Sequence, residues 1–182
     1  VGLACDLAAL GEPERARQLA ERAKDRYSTY LGAEHPVTLA CSTNLSVYQR
    51  LTGSPDSARE LSHEALHRMT RIVGESHPYS LSCMVNHAND LALAGAVEEA
   101  ADWDRRARRY FLDILGPDHY DTISITSNLG LSLGALGRTE EAGQLVAEAA
   151  RKARDRLGEA HPTTRAILSG KRLDSDIEPP TT

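Results

Sequence analysis

The feature that most constrains this chain is an internal period of 42 residues. "LGAEHPVTLACSTNL" begins at Leu31, "VGESHPYSLSCMVNH" at Val73, "LGPDHYDTISITSNL" at Leu115 and "LGEAHPTTRAIL" at Leu157, each start 42 residues beyond the last. Gly32, Gly74, Gly116 and Gly158 keep this step, as do His35, His77, His119 and His161. So do the hydroxyl residues Thr38, Ser80, Thr122 and Thr164, and the amides Asn44, Asn86 and Asn128. A chain of this kind stacks like units on one another, because no single unit can bury its own apolar face.

Each unit reads as two helices. Helix A starts at the His-Pro pair, where Pro36, Pro78 and Pro162 occupy the first helical position and lose no hydrogen bond. It ends at a second glycine series, Gly11, Gly53, Gly95 and Gly137, which suits the left-handed residue after a helix. Helix B follows at once, with Pro13 or Pro55 and acids such as Glu14, Asp56, Glu98 and Glu140 in its first turn, where the helix dipole favours negative charge. Its alanines recur seven apart: Ala16 and Ala23, Ala58 and Ala65, Ala100 and Ala107, Ala142 and Ala149. On helix A the small series is Ala4, Ser46, Ala88 and Gly130. Small residues at these points let helices approach closely. Aromatic residues make up only 4% of the chain, which suits packed helices better than strands.

The helix A triplets Asn128-Leu129-Gly130 and Asn44-Leu45-Ser46, with both helix B alanines, resemble the tetratricopeptide repeat. The linker "LGxxHPxT" and the long period resemble the kinesin-light-chain type of that repeat. The resemblance implies an all-α right-handed superhelical solenoid over 1–172: a partial unit 1–30, full units 31–72, 73–114 and 115–156, and a capping helix at about 157–172. Gly170 stands where the next ladder asparagine would be. The acidic, Pro-rich residues 173–182 are expected to be disordered.

The resemblance further implies a binding scaffold without catalysis or cofactor, holding a protein or peptide in a concave groove of A helices. Asn44, Asn86 and Asn128 match the family position that hydrogen-bonds a bound peptide's backbone. Val47, Asn89 and Leu131 join the groove one turn along, with Arg50 nearby. There is a physical fit: A helices stacked at about 10 Å match about three residues of extended chain. An amide can both donate and accept, so it can hold a backbone without reading sequence. Two other roles stay open, asparagines that bridge A helices within the scaffold, and a solenoid that self-associates or acts as a regulatory lid. Repeats of this type occur in large bacterial signalling proteins. That implies a cytoplasmic piece of a longer regulatory chain, with an upstream module as a second partner. The start at "VGLACDLAAL", without an initiator Met, fits a fragment.

Against this register stands His63-Glu64-Ala65-Leu66-His67, an H-E-x-x-H zinc-peptidase pattern. Ala65 is the second helix B alanine, which puts it on the core side. His63 and His67 correspond to Glu21 and Asp25, Arg105 and Arg109, and Ala147 and Arg151, all but one of them solvent-type residues. The longer metzincin pattern fails at Thr70 and Val73. No metal site is expected; a hydrolase is the remote alternative. The linker histidines are expected to order the turns before each helix A.

Cys5, Cys41 and Cys83 form no C-x-x-C pair and read as small buried hydrophobes. The basic run Arg105–Arg109 has acidic neighbours at helical spacing, with Asp102–Arg106 and Asp104–Arg108 as expected pairs. With a net charge of −5, this argues against a nucleic-acid partner. No apolar run is long enough to cross a membrane. Trp103, in the register of Leu19, Leu61 and Leu145, is expected in the core. His87 stands where Leu3, Leu45 and Leu129 stand, as a satisfied core group or as a specificity centre.

Overall fold

The computed structural model of the protein describes residues 2–177. Among the described residues there are nine helices and no strand: α1 (Gly2–Ala9), α2 (Pro13–Leu31), α3 (Pro36–Leu51), α4 (Pro55–Val73), α5 (Pro78–Leu93), α6 (Val97–Leu115), α7 (Tyr120–Ala135), α8 (Thr139–Leu157) and α9 (Pro162–Leu168). The fold is an all-α helical repeat. The A helices α3, α5 and α7 have 16 residues each, and the B helices α2, α4, α6 and α8 have 19.

Local chemistry sets these boundaries. The linker histidines cap the A helices: Nδ1 of His35 accepts from the Val37 N–H at 3.2 Å, and His77, His119 and His161 take the same bond from Tyr79, Asp121 and Thr163. Each satisfies an N–H that the first helical turn leaves open. The hydroxyl series ties the turn down: Thr38 Oγ1 donates to the Gly32 carbonyl at 2.9 Å and Ser80 Oγ to that of Gly74 at 2.6 Å. At the other end of α3, Gly53 has φ +83°, and the Ser54 N–H reaches back to the Gln49 carbonyl at 2.9 Å. That bond closes a Schellman turn, which a residue with a Cβ enters only under strain.

The two helix types bury themselves differently. The B helices bury a narrow stripe in which Ala16, Ala58, Ala65, Ala100, Ala107 and Ala149 are nearly inaccessible. The A helix α3 is buried at every position from Thr38 to Tyr48. Ser42, Thr43 and Ser46 survive this because they bond their own helix: Ser42 to the Thr38 carbonyl, Thr43 to Leu39 and Ser46 to Thr43. Gly130 on α7 shows how closely helices approach: a Cβ there would lie 2.7 Å from Val146 Cγ2 and 3.2 Å from the Ala142 carbonyl of α8.

The chain divides into two compact units. The first runs to Asp90 and takes in the segment from Ser175. In it α1 packs on α2, α2 on α3 and α3 on α4. The second runs from Leu91 to Asp174, with α6 on α7, α7 on α8, and α9 on both α7 and α8.

The last repeat differs from the expected cap of about 157–172. Helix α9 stops at Leu168, and Gly170, with φ +67°, turns the chain while the Lys171 N–H bonds the Ala166 carbonyl at 2.9 Å. Residues 173–177, expected to be disordered, are instead held by hydrogen bonds on the A helices. Polar composition was a poor guide here, because Leu173, Ser175 and Ile177 each find an amide partner for their backbone. The expectation for 178–182 lies outside the described residues.

Candidate functional site

In the second unit Asn128, on α7, takes hold of Leu173. Its Nδ2 donates to the Leu173 carbonyl at 2.8 Å, and its Oδ1 accepts from the Leu173 N–H at 2.9 Å. In the first unit Asn86, on α5, does the same to Ser175 at 2.7 and 3.0 Å. Asn44, on α3, does it to Ile177 at 2.9 and 3.0 Å. All three asparagines are essentially inaccessible. Each amide presents one acceptor and one donor to a single residue, as a neighbouring strand would do in a sheet. The partnering also fixes which atom of each amide is oxygen.

The residues held are two apart, Leu173, Ser175 and Ile177, where stacked helix axes suggested three per step. Within the first unit, the step from Asn86 to Asn44 takes two residues of the segment, from Ser175 to Ile177. The segment meets Asn86 before Asn44, so it runs against the repeat order. Its side chains are used as well. Leu173 packs on Ile123, Ala149, Ala150, Ala153 and Ile167. Ser175 Oγ bonds Ser82 Oγ at 2.9 Å, and Ile177 is buried.

Beside Asn128 the second unit holds a buried ionic cluster. Asp104, on α6, is fully inaccessible, and the guanidinium of Arg172 reaches both its carboxylate oxygens at 2.8 Å. Ser132 Oγ donates to Asp104 at 2.7 Å and accepts from Arg172 at 2.7 Å. A second nitrogen contact runs from Arg172 to the Asn128 carbonyl at 3.3 Å. Burial pushes the Asp104 carboxyl above its usual range, while Arg172 and Ser132 pull it back down. The expected Asp104–Arg108 pair does not form: Asp104 turns inward, and Arg108 bonds Thr126 and faces Glu148.

The other expected groove residues are placed differently from the ladder asparagines. Val47 lies in a buried cluster with Ala4, Ala16, Ala20, Leu45 and Tyr48. Arg50 is paired with buried Asp90. Asn89 is buried and Leu131 half-buried. His87 is a core group: its Nδ1 lies 2.9 Å from Ser62 Oγ, and burial first, then the nearby charges of His63 and Arg59, push its pKa down to about 4. Trp103 is half-buried rather than in the core, with the Arg106 guanidinium 5.2 Å above its ring. The bulky indole uses that cation as its cover.

The H-E-x-x-H helix is α4. His63, Glu64 and His67 are exposed, Ala65 is buried, and Glu64 pairs with Arg68 at 2.5 Å. Among the described residues no group of three or more His, Cys, Asp or Glu is arranged to hold a metal ion. Burial pushes the Cys83 thiol up to about 12 and that of Cys41 to about 11, which leaves both unreactive. No helix of the described residues is long and apolar enough to cross a membrane.

The sequence places the three asparagines in one register but does not show what their amides bond. The signal was present: Leu173-Asp174-Ser175-Asp176-Ile177 alternates apolar or small residues with acids, the period of an extended strand. Asp104 was missed because, on a helix rich in charge, it looked like one more surface acid.

Known structures give the same architecture. Two crystal structures of nearly identical TPR-like repeats, from a Podosopora anserina protein described as a putative kinesin light chain, match with a TM-score of 0.75. One of the two carries a point substitution. Both are 22% identical to the chain, with 93% of this chain and 80% of theirs covered. BtubC (BKLC) from P. vanneervenii matches with a TM-score of 0.65 and 19% identity, over 85% of this chain and 62% of that one. These likenesses concern the fold. No curated protein matches this chain. The sequence model of the tetratricopeptide repeat matches residues 1–66 and 84–155. Repeats of this kind are generally protein-interaction scaffolds, and their fold is typically non-catalytic. The chain belongs to the tetratricopeptide repeat family.

Proposed function

We propose that this chain is a peptide-binding module whose amides each grip one residue of an extended segment by its backbone, and that its own tail, Leu173 in the second unit and Ser175 and Ile177 in the first, acts as a resident lid over those amides. The observation that carries the reading is the repeated amide grip, in which Asn44, Asn86 and Asn128 each donate to and accept from one residue of the segment. Such a grip reads conformation rather than side chains, so any chain able to lie extended there is a candidate ligand. A lid is favoured over self-association because the asparagines are engaged by the same chain. A tethered segment has an effective concentration in the millimolar range, so a partner must compete with it. The module itself performs no catalysis and needs no cofactor. Its setting in a larger cytoplasmic regulatory protein rests on the resemblance alone.

The test uses a full-length chain whose tail cannot be held. Arg172→Ala removes the guanidinium, and Ser175→Pro with Ile177→Pro removes two gripped N–H groups. This tail-disabled chain should bind a labelled peptide of sequence GKRLDSDIEPP in fluorescence anisotropy. Adding Asn44→Ala, Asn86→Ala and Asn128→Ala should abolish binding while helicity is retained. Binding that survives the three alanines, or a tail-disabled chain that takes no peptide, contradicts the reading.

A further inference from the structure

The ionic cluster beside Asn128 repeats a contact made in the first unit, with one difference in where the cation comes from. In the first unit Arg50, on α3, directs its guanidinium to the Asn86 carbonyl at 3.5 Å and to buried Asp90. One repeat later, Asn86 becomes Asn128 and Asp90 becomes Ser132, each 42 residues on. The residue corresponding to Arg50 is Ala92, which carries no charge. The guanidinium that meets the Asn128 carbonyl and Ser132 therefore does not come from the scaffold. It comes from Arg172, in the segment that the ladder holds. The carboxylate has moved as well: Asp104 stands on α6, where the repeats on either side carry Ser62 and Val146. The second unit thus has a fully buried carboxylate whose guanidinium partner is supplied by the bound strand.

We propose that Asp104, Ser132 and the Asn128 carbonyl form a guanidinium-recognition site, which makes an arginine immediately before the Asn128-gripped residue the specificity determinant of any segment this module takes up. Arg172 is its occupant in cis. This deepens the peptide-binding reading and rests on it. The backbone grip is blind to sequence, so discrimination has to come from side-chain contacts, and in this one a fully buried carboxylate is at stake. The contact is built for arginine. One guanidinium nitrogen reaches both Asp104 oxygens at 2.8 Å while the other meets Ser132 at 2.7 Å and the Asn128 carbonyl at 3.3 Å. A lysine ammonium, a single compact centre, cannot span both sets of acceptors. A ligand with neither cation would leave Asp104 buried against an empty site, the costliest arrangement for a charge.

The experiment compares three labelled peptides on the tail-disabled full-length chain: GKRLDSDIEPP, the same peptide with alanine for its arginine, and the same with lysine there. The arginine peptide should bind about 30-fold or more tightly than the alanine peptide, the scale for removing one partner of a buried charge pair. The lysine peptide should fall between them. In the tail-disabled chain carrying Asp104→Asn, the arginine and alanine peptides should bind within a few-fold of each other. Equal binding of all three peptides to the Asp104-bearing chain overturns the guanidinium site and leaves the amide grip standing. Failure of every peptide to bind overturns the grip, and this inference with it. The three-peptide comparison needs no Asp104 variant, so it decides the matter even if Asp104→Asn does not fold.

Discussion

At the scale of single residues, the chain separates positions that hold the fold from positions that hold the segment. Asn44, Asn86 and Asn128 share a register, and the amide of each bonds the backbone of Ile177, Ser175 and Leu173 in turn. Two hydrogen bonds per asparagine contribute about 1–3 kcal/mol to tail retention. Asn128→Ala should therefore raise the amide exchange of Leu173 about tenfold or more and lower the melting midpoint by less than removal of the whole segment does. Gly130 belongs to the fold. Val146 beside it is β-branched, and the Ala142 carbonyl cannot move away cheaply, so Gly130→Ala should destabilise the protein by about 1 kcal/mol despite alanine's higher helix propensity. A denaturant titration reads that difference.

His87 ties stability to pH. Its pKa is depressed to about 4 in the folded chain, against an ordinary value of about 6.5. A neutral imidazole is thus favoured by folding. Its contribution is fully present above about pH 6.5 and is lost as pH falls through about 4, up to about 3 kcal/mol in all. The melting midpoint should drop across that window. His87→Leu, which restores the residue of the other repeats, should flatten the drop.

At the scale of elements, nearly all the helices were legible in the sequence, because glycine, proline and histidine recur at one period and each has a local job. The His35 cap and the Gly53 turn are examples of signals that survive without knowledge of tertiary contacts. The end of the chain was not legible in the same way. Gly170 occupies the register of a ladder asparagine, and only the folded chain shows that it ends α9 and sends Arg172 and Leu173 onto α7. Whether a polar segment is ordered depends on partners more than 40 residues away, and composition carries no information about those. Asp104 was obscured for the same reason, since its partner lies 68 positions along the chain. Removing the segment should strand this acid. Truncation after Gly170 should lower the melting midpoint by several degrees, and Asp104→Asn in the truncated chain should recover part of the loss, because it deletes an uncompensated buried charge.

At the scale of the whole molecule, the chain is a tetratricopeptide repeat scaffold, and the proposed function makes residues 172–177 a competitor for any peptide partner. A free peptide should bind the unmodified chain at least about tenfold more weakly than the tail-disabled chain, because the tethered segment occupies the site first. The central claim is that three side-chain amides each grip one alternate residue of an extended strand. Residue-resolved amide hydrogen exchange of the full chain tests it most directly. Protection at Leu173, Ser175 and Ile177 should stand well above that at Asp174 and Asp176, with Asn128→Ala, Asn86→Ala and Asn44→Ala each releasing its own partner first. Uniformly fast exchange from 173 to 177, or protection indifferent to the three asparagines, would contradict it.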